Sequence, residues 1–365
     1  MHSIRVALEE RAYDVHVGHG VLGQLGARCR EVGLGGRPAV VTDESVAGHY
    51  LHPVVDSLSR AGYEPLVVRF AGGDSAKSLS TVEAVCGQLI EAELDRSAWV
   101  VAVGGGVVGD LAGFVAATFL RGIPFVQVPT TIVAQVDASV GGKTGVNHAL
   151  GKNLIGAFHQ PRLVWIDTEV LRTLPRRERI GGMSEVVKHA VIRDAGLFAF
   201  LEEHLEAVLS LELEPELLDW LIARNVEIKA QVVAADEREL GLRALLNYGH
   251  TVGHAIEAAG AYERYRHGEA VGLGMVAAGH IARQRDLWPA ADCERQESLL
   301  RRLGLPGGLA SIPLDLILQH TRADKKRASG RLRFVLPRRI GQAEVYGDIP
   351  EAAVCAAIRH VQENW

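Results

Sequence analysis

Apolar and polar positions along this chain keep two different periods, and the change falls near residue 177. Residues 4–8 and 13–17 alternate with period two, which predicts an opening hairpin or a pair of edge strands. Short apolar runs follow at 38–42 (PAVVT), 65–70 (PLVVRF), 99–103 (WVVAV), 125–128 (FVQV) and 163–166 (LVWI), with helical patterns at 79–92 and 111–120 between them. Strands that are apolar throughout belong to sheets covered on both faces, and strands alternating with helices make parallel ones. Residues 1–177 therefore predict an α/β domain with a mainly parallel, doubly wound, Rossmann-like sheet. From 178 to 365 long amphipathic patterns take over, at 184–204, 215–235, 245–259, 269–285 and 291–303. Strand-like residues return only at 331–336 (RLRFVL), so the second domain is predicted to be all-helical.

Length agrees with that division, since a single core rarely grows past roughly 250–300 residues and this chain has 365. Charge excludes one class of partner: 39 basic less 44 acidic residues leave −5, with no basic tract to neutralise a nucleic-acid backbone. The four cysteines, Cys29, Cys86, Cys293 and Cys355, form no CxxC pair and offer neither a disulfide framework nor a thiolate metal site. Residues 98–120 carry one charge, Asp110, but also five glycines, so a buried strand, a glycine turn and a packed helix fit them better than a membrane span. With no apolar signal core at the N-terminus, the expectation is a soluble cytosolic protein.

Chemistry concentrates in three places. Gly104, Gly106 and Gly109 satisfy GxGxxG directly after a predicted strand and before a helix, where backbone N–H groups can hold a pyrophosphate. The acidic residue that usually follows some 20 positions later is missing, and a turn needed only for packing is the alternative. A second strand–helix loop, 71–78 (AGGDSAKS), offers Asp74 and Lys77. Downstream, 128–158 gathers Thr130, Thr131, Asp137, Lys143, Lys152 and Asn153 among small residues. Lysines in so apolar a setting point to a phosphate or carboxylate ligand.

The third place lies in the second domain. Glu185 and Lys188 share a helix face. His250 and His254 stand four apart on another helix, and His267 opens the next, which is plausible zinc-type geometry completed by Glu185, Glu257 or Glu269. A dinucleotide, a divalent metal and anion-binding lysines around an interdomain cleft fit two reaction classes: a metal-dependent polyol dehydrogenase, or a cyclase or lyase that uses NAD transiently on a sugar phosphate.

The stretches GGGVVGDLAGFVAATFLRG, VPTTIVAQVDASVGGKTGVN, GKNLIGAFHQP, EVVKH, DERELGLRALLNYGHTVGHAIE and RHGEAVGLGM closely resemble the 3-dehydroquinate synthase family of the shikimate pathway. That resemblance implies a homodimer acting on a phosphorylated sugar acid, with NAD and Zn²⁺ (or Co²⁺) as cofactors. It implies metal ligands at Glu185, His250 and His267, which makes His254 a substrate contact rather than a ligand. NAD contacts map to Asp43, Asp74, Ser75, Ala76, Lys77, Gly105, Gly106, Val107, Asp110, Thr130, Thr131, Lys143, Lys152, Val170, Leu171, Arg172 and Thr173. Phosphate contacts map to Lys143, Asn153, Asn247, His254 and one of Lys325 and Lys326, with Arg121 reaching across the dimer. Contacts to the substrate carboxylate and hydroxyls map to Asp137, Lys152, Lys188, Lys229 and Arg243. Related cyclases acting on sedoheptulose 7-phosphate or glucose 6-phosphate are the nearest alternative activities.

Overall fold

The computed structural model describes residues 1–239, 241–327 and 333–365, with the side chains of 323–327 excepted, so Lys325 and Lys326 lie outside the described side chains. Eleven strands are present among the described residues: β1 (His2–Val6), β2 (Tyr13–Gly18), β3 (Pro38–Asp43), β4 (Leu66–Phe70), β5 (Trp99–Gly104), β6 (Phe125–Pro129), β7 (Lys143–His148), β8 (Gly151–Phe158), β9 (Leu163–Asp167), β10 (Phe334–Arg339) and β11 (Gln342–Tyr346). Seven of them form one sheet in the order β1-β2-β9-β6-β5-β3-β4. The opening pair β1–β2 is antiparallel and every other pairing in that sheet is parallel.

The apolar runs explain the burial. Every residue of β3, β5, β6 and β9 is buried. Val40, Val101, Val103 and Val126 pack on one face with Leu25, Val54 and Leu58 of the helices Leu25–Glu31 and His52–Arg60. Val41, Val100 and Ala102 pack on the other face with Val85 and Leu111 of the helices Leu79–Glu91 and Gly106–Thr118. A glycine-rich antiparallel hairpin, β7–β8, stands apart from the main sheet. The pattern reading at 128–158 did not anticipate it.

By packing, the chain divides into one unit of Met1–Leu174 with Glu214–Glu237 and a second of Pro175–Leu213 with Arg238–Trp365. This differs from a single break at 177/178: the helix Pro215–Ala235 returns to the first unit and packs on β1 and β2. Thr168 Oγ1 donates to Asp219 of that helix at 2.6 Å. The second unit is helical, with β10–β11 as its hairpin. The pattern at 184–204 is two helices, Arg176–Arg193 and Ala195–Ser210, broken at Asp194, whose side chain caps the second. The pattern at 245–259 begins its α-helix only at His250, after the left-handed Gly249. No described helix is long and apolar enough to cross a membrane. All four cysteines are free thiols.

Candidate active site

In the first unit, five of the segments expected to meet a dinucleotide lie at or just after the C-terminal ends of parallel strands. Asp43 ends β3, residues 71–77 follow β4, Gly105 follows β5, Thr130 and Thr131 follow β6, and Val170–Thr173 lie just after β9. Open α/β sheets bind ligands at that edge, at the point where strand order reverses, here between β3 and β5. Gly105 begins the helix Gly106–Thr118 with no side-chain cap, leaving its first N–H groups for a ligand. A side chain at either neighbouring glycine would force a shift. A Cβ at Gly104 would sit 2.4 Å from Val108, and one at Gly109 would sit 2.6 Å from Gln127 Oε1.

An acid does stand upstream of the glycine loop. Asp43 ends the strand directly beside β5, the relative position from which an acidic side chain meets a ribose hydroxyl. Its Oδ1 accepts from Ser45 Oγ at 2.6 Å and from the Val46 N–H at 2.9 Å, which fixes its orientation. Sequence spacing missed it because strand adjacency here runs against chain order.

A polar cluster surrounds the buried Lys77. Its Nζ lies 2.5 Å from Asp110 Oδ2 and also donates to Asn153 Oδ1. Asn147 Nδ2 donates to Asp74 Oδ2 at 3.2 Å, and Lys152 Nζ is 3.4 Å from the same oxygen. The hairpin β7–β8 thereby ties Asp74, Lys152 and Asn153 to the glycine-loop helix, while Lys143 opens β7 in an exposed position. Lys229, on the helix that returns to this unit, donates to the Asp137 carbonyl at 2.6 Å and to its carboxylate. Arg121 is exposed beyond the far end of the helix Gly106–Thr118, roughly 20 Å from Gly105 at 1.5 Å per residue.

In the second unit, glycine contacts bring three helices together. A Cβ at Gly268 would lie 1.9 Å from the Gly181 carbonyl, so the helices Arg176–Arg193 and His267–Gln284 cross almost backbone to backbone there. Glu185, one turn past Gly181, thus stands beside His267. A Cβ at Gly274 would lie 1.9 Å from the Gly249 carbonyl, which seats the helix His250–Ala259 on the same partner. Ligand atoms of Glu185, His250 and His267 all come within 4.8 Å of one another. His250 Nε2 is 3.7 Å and His267 Nε2 is 3.4 Å from Glu185 Oε1.

Each ring is oriented through its other nitrogen. His250 Nδ1 lies 3.1 Å from the Tyr248 carbonyl, and His267 Nδ1 lies 3.0 Å from Glu257 Oε2. Glu257 and the Tyr248 carbonyl are the groups that spacing could not assign, because their role is to aim another side chain. Both Nε2 atoms converge on Glu185 Oε1, which is buried and accepts no hydrogen bond from a described residue. Two imidazole lone pairs and an otherwise orphaned carboxylate oxygen suit a divalent cation of the zinc type. Glu269 is not part of this set, since Arg177 donates to both its oxygens at 2.6 and 2.9 Å. His254 is exposed, its ring 5.3 Å from that of His250 and 5.8 Å from that of His267. Lys188 is no surface residue: it is fully buried, with Nζ 2.5 Å from Glu185 Oε2. Nearby, Arg243 is buried in the turn Leu242–Asn247, and Asn247 Nδ2 donates to Glu239 at 2.7 Å.

The electrostatics favour a bound cation. Burial alone would raise the Glu185 carboxyl, but Lys188, His250 and His267 outweigh it and hold the group well below the ordinary range. Burial drives His250 well below its usual value despite the pull of Glu185, so it stays neutral. Burial also opposes charge on His267, yet the Glu185 and Glu257 carboxylates beside it lift it to about 9 without a metal. A ligating imidazole must be neutral, so Zn²⁺ has to displace that proton. Titrating Zn²⁺ into the metal-stripped protein at pH 7, in buffers of different protonation enthalpy, should release close to one proton per ion. Apparent affinity should fall about tenfold per pH unit below about 9. Release of no proton would show that Glu257 does not hold His267 in its charged form.

Models of the 3-dehydroquinate synthase N-terminal and C-terminal regions match residues 67–181 and 182–327. The chain belongs to the 3-dehydroquinate synthase family. It is 49% identical to the 3-dehydroquinate synthase of Citrifermentans bemidjiense over 338 residues, 93% of either chain. Among solved structures it resembles the 2-epi-5-epi-valiolone synthase ValA of Streptomyces hygroscopicus subsp. jinggangensis with NAD⁺ and Zn²⁺ bound, at TM-score 0.90 and 31% identity over 98% of this chain and 99% of that one. A 2-deoxy-scyllo-inosose synthase in complex with carbaglucose-6-phosphate, NAD⁺ and Co²⁺ follows at TM-score 0.89 and 28% identity, covering 99% and 100%. As a member of the 3-dehydroquinate synthases the chain is a lyase of aromatic biosynthesis, and its fold is that of the sugar phosphate cyclases.

Proposed function

We propose that this chain converts 3-deoxy-D-arabino-heptulosonate 7-phosphate to 3-dehydroquinate and phosphate, with NAD bound at the strand ends of the first unit and a divalent metal held by Glu185, His250 and His267. The observation that carries the metal assignment is the convergence of two oriented Nε2 atoms on the orphaned Glu185 Oε1. When bound, a divalent cation lowers the pKa of a coordinated alcohol, and the nicotinamide takes up and later returns a hydride. The protein's own groups supply charge and position. Lys188 and Lys229 present ammonium groups inside buried surroundings to substrate oxygens, and Asp137 holds Lys229 in place. Arg243 receives the substrate carboxylate. Lys143, Asn153, Asn247 and His254 receive the phosphate, which departs by β-elimination and itself serves as base; none of the described residues stands out as a dedicated general base.

The same reading makes the active form a cytoplasmic homodimer, in which Arg121 serves the substrate of a second copy. Its exposed place beyond the far end of the glycine-loop helix supports this, since it leaves the guanidinium open to a second copy. Supplied with the heptulosonate phosphate and a trace of NAD⁺, the protein should release one phosphate per substrate consumed with no lasting absorbance from NADH. NADH rising in step with substrate loss would make it a dehydrogenase instead.

A further inference from the structure

Tyr248 stands two residues before a metal ligand and contacts the site only through its backbone. Its side chain is fully buried, and its hydroxyl donates to Gln296 Oε1 at 2.6 Å, with the Met275 carbonyl 3.4 Å away. Gln296, on the helix Ala290–Leu303, is also fully buried, and its Nε2 donates to the same Met275 carbonyl at 3.2 Å. Space for that amide exists because position 279, one turn past Met275, is glycine. A Cβ there would lie 3.2 Å from Gln296 Nε2 and 2.8 Å from the Trp288 ring. At the other end of Tyr248, Gly249 adopts φ +79°, folding the Tyr248 carbonyl back to within 3.1 Å of His250 Nδ1. A side chain at 249 would strike the Val271 carbonyl at 2.6 Å, so the turn packs closely against the helix His267–Gln284. A carbonyl can only accept, so Nδ1 carries the hydrogen and Nε2 keeps the lone pair aimed at Glu185.

The segment leading to this turn is irregular: Leu242–Asn247 is a short 3₁₀ stretch and Tyr248 itself is extended. No α-helical hydrogen-bond ladder fixes the height of that carbonyl. Besides the Tyr248 N–H, which donates to the Leu245 carbonyl at 3.2 Å, what anchors it is the ring of Tyr248 and the hydroxyl at its tip. We propose that Gln296 is a positioning residue of the metal site, clamping Tyr248 so that its carbonyl sets the tautomer and ring angle of His250. The proposal rests on reading Glu185, His250 and His267 as the metal site. A buried amide paired at both ends is costly to disturb, because each partner loses a bond that water cannot replace.

Two variants test it: Gln296→Leu, which keeps the volume and removes both hydrogen bonds, and Tyr248→Phe, which removes only the hydroxyl. Each metal-stripped protein is titrated with Zn²⁺ against a chromogenic chelator, and each is loaded with Co²⁺ for its visible spectrum. Losing an outer partner of a ligand commonly weakens metal binding 10–100-fold, and the clamp acts one bond further out, so a rise in Zn²⁺ Kd of about tenfold is expected. The Co²⁺ bands should shift, and the double variant should lose no more than the worse single one. A merely structural glutamine would lower Tm while leaving the Zn²⁺ Kd and the Co²⁺ spectrum at wild-type values in both variants, and that result overturns the proposal. A wild-type chain that binds neither ion defeats the metal-site reading itself and takes the clamp with it, an outcome distinct from failure of the variants alone.

Discussion

Glu185→Gln is expected to remove metal and turnover together. The substitution preserves shape and deletes one charge, but that charge has three dependants: Lys188 Nζ at 2.5 Å and the two imidazole Nε2 atoms at 3.7 and 3.4 Å. Lys188 is left as a buried ammonium beside a neutral amide, and removing one member of a buried ion pair costs about 3–5 kcal/mol. A cation placed there would lose its only anionic ligand. Metal affinity should fall by roughly two to three orders of magnitude at about 1.4 kcal/mol per tenfold. In the wild type, exhaustive chelation should abolish phosphate release, and Zn²⁺ or Co²⁺ should restore it. Metal analysis after dialysis, set beside kcat, decides the matter. A variant that keeps one equivalent of zinc and turns over within tenfold of wild type would show that the catalytic ion, if any, sits elsewhere.

How much of this was legible in the residues depended on which kind of information a residue carries. All seven strands of the main sheet were visible: β3, β5, β6 and β9 as runs buried on both faces, β4 as a shorter apolar run, and β1 and β2 by their alternation. The hairpin β7–β8 was not, since its residues mix glycine, lysine and asparagine and its outward positions include Leu154 and Phe158, which breaks the usual alternation. Amphipathic periodicity marked the helix Pro215–Ala235 to the residue but could not say which core it would join. Periodicity reports that a face is buried, never against what. The break at Asp194 had a signal, a capping side chain before Leu197, hidden by apolar residues continuing on both sides.

The candidate metal site shows the same limit. Spacing within one helix singled out His250 and His254, which do share a face, and could not choose among Glu185, Glu257 and Glu269. That choice depends on the crossing at Gly181 and Gly268, a contact between helices far apart in sequence. Resemblance to a family pointed to Glu185, and the structure brings its Oε1 within 3.7 Å of both Nε2 atoms. Asp43 is the complementary case: a rule that seeks an acid only after the glycine loop passes over it, because the neighbouring strand β3 precedes β5 in the chain.

Arg243 carries the largest expected effect on substrate choice. A surface pairing with Glu237 or Glu239 would have been the plain alternative, but Arg243 is 2% exposed, which excludes a surface position. The turn Leu242–Asn247 that holds it also holds Asn247, and it ends two residues before Gly249 and three before His250. A buried guanidinium offers a planar fork to a carboxylate through two parallel bonds, which an ammonium cannot imitate. Arg243→Ala should therefore lower kcat/KM for the heptulosonate phosphate by an amount equivalent to about 2–5 kcal/mol, the cost of leaving a buried charge without its partner. Arg243→Lys should recover only part of that, because the charge returns without the fork. Sedoheptulose 7-phosphate, which has no carboxylate to offer, should be a poor substrate for the wild type and should lose far less on Arg243→Ala. The two substrates thus separate a carboxylate contact from a general loss of structure, which would depress both alike. Equal turnover of the two sugars by the wild type, or an Arg243→Ala variant with unchanged kcat/KM on the heptulosonate, would assign this chain to a different sugar phosphate and leave Arg243 as part of the frame.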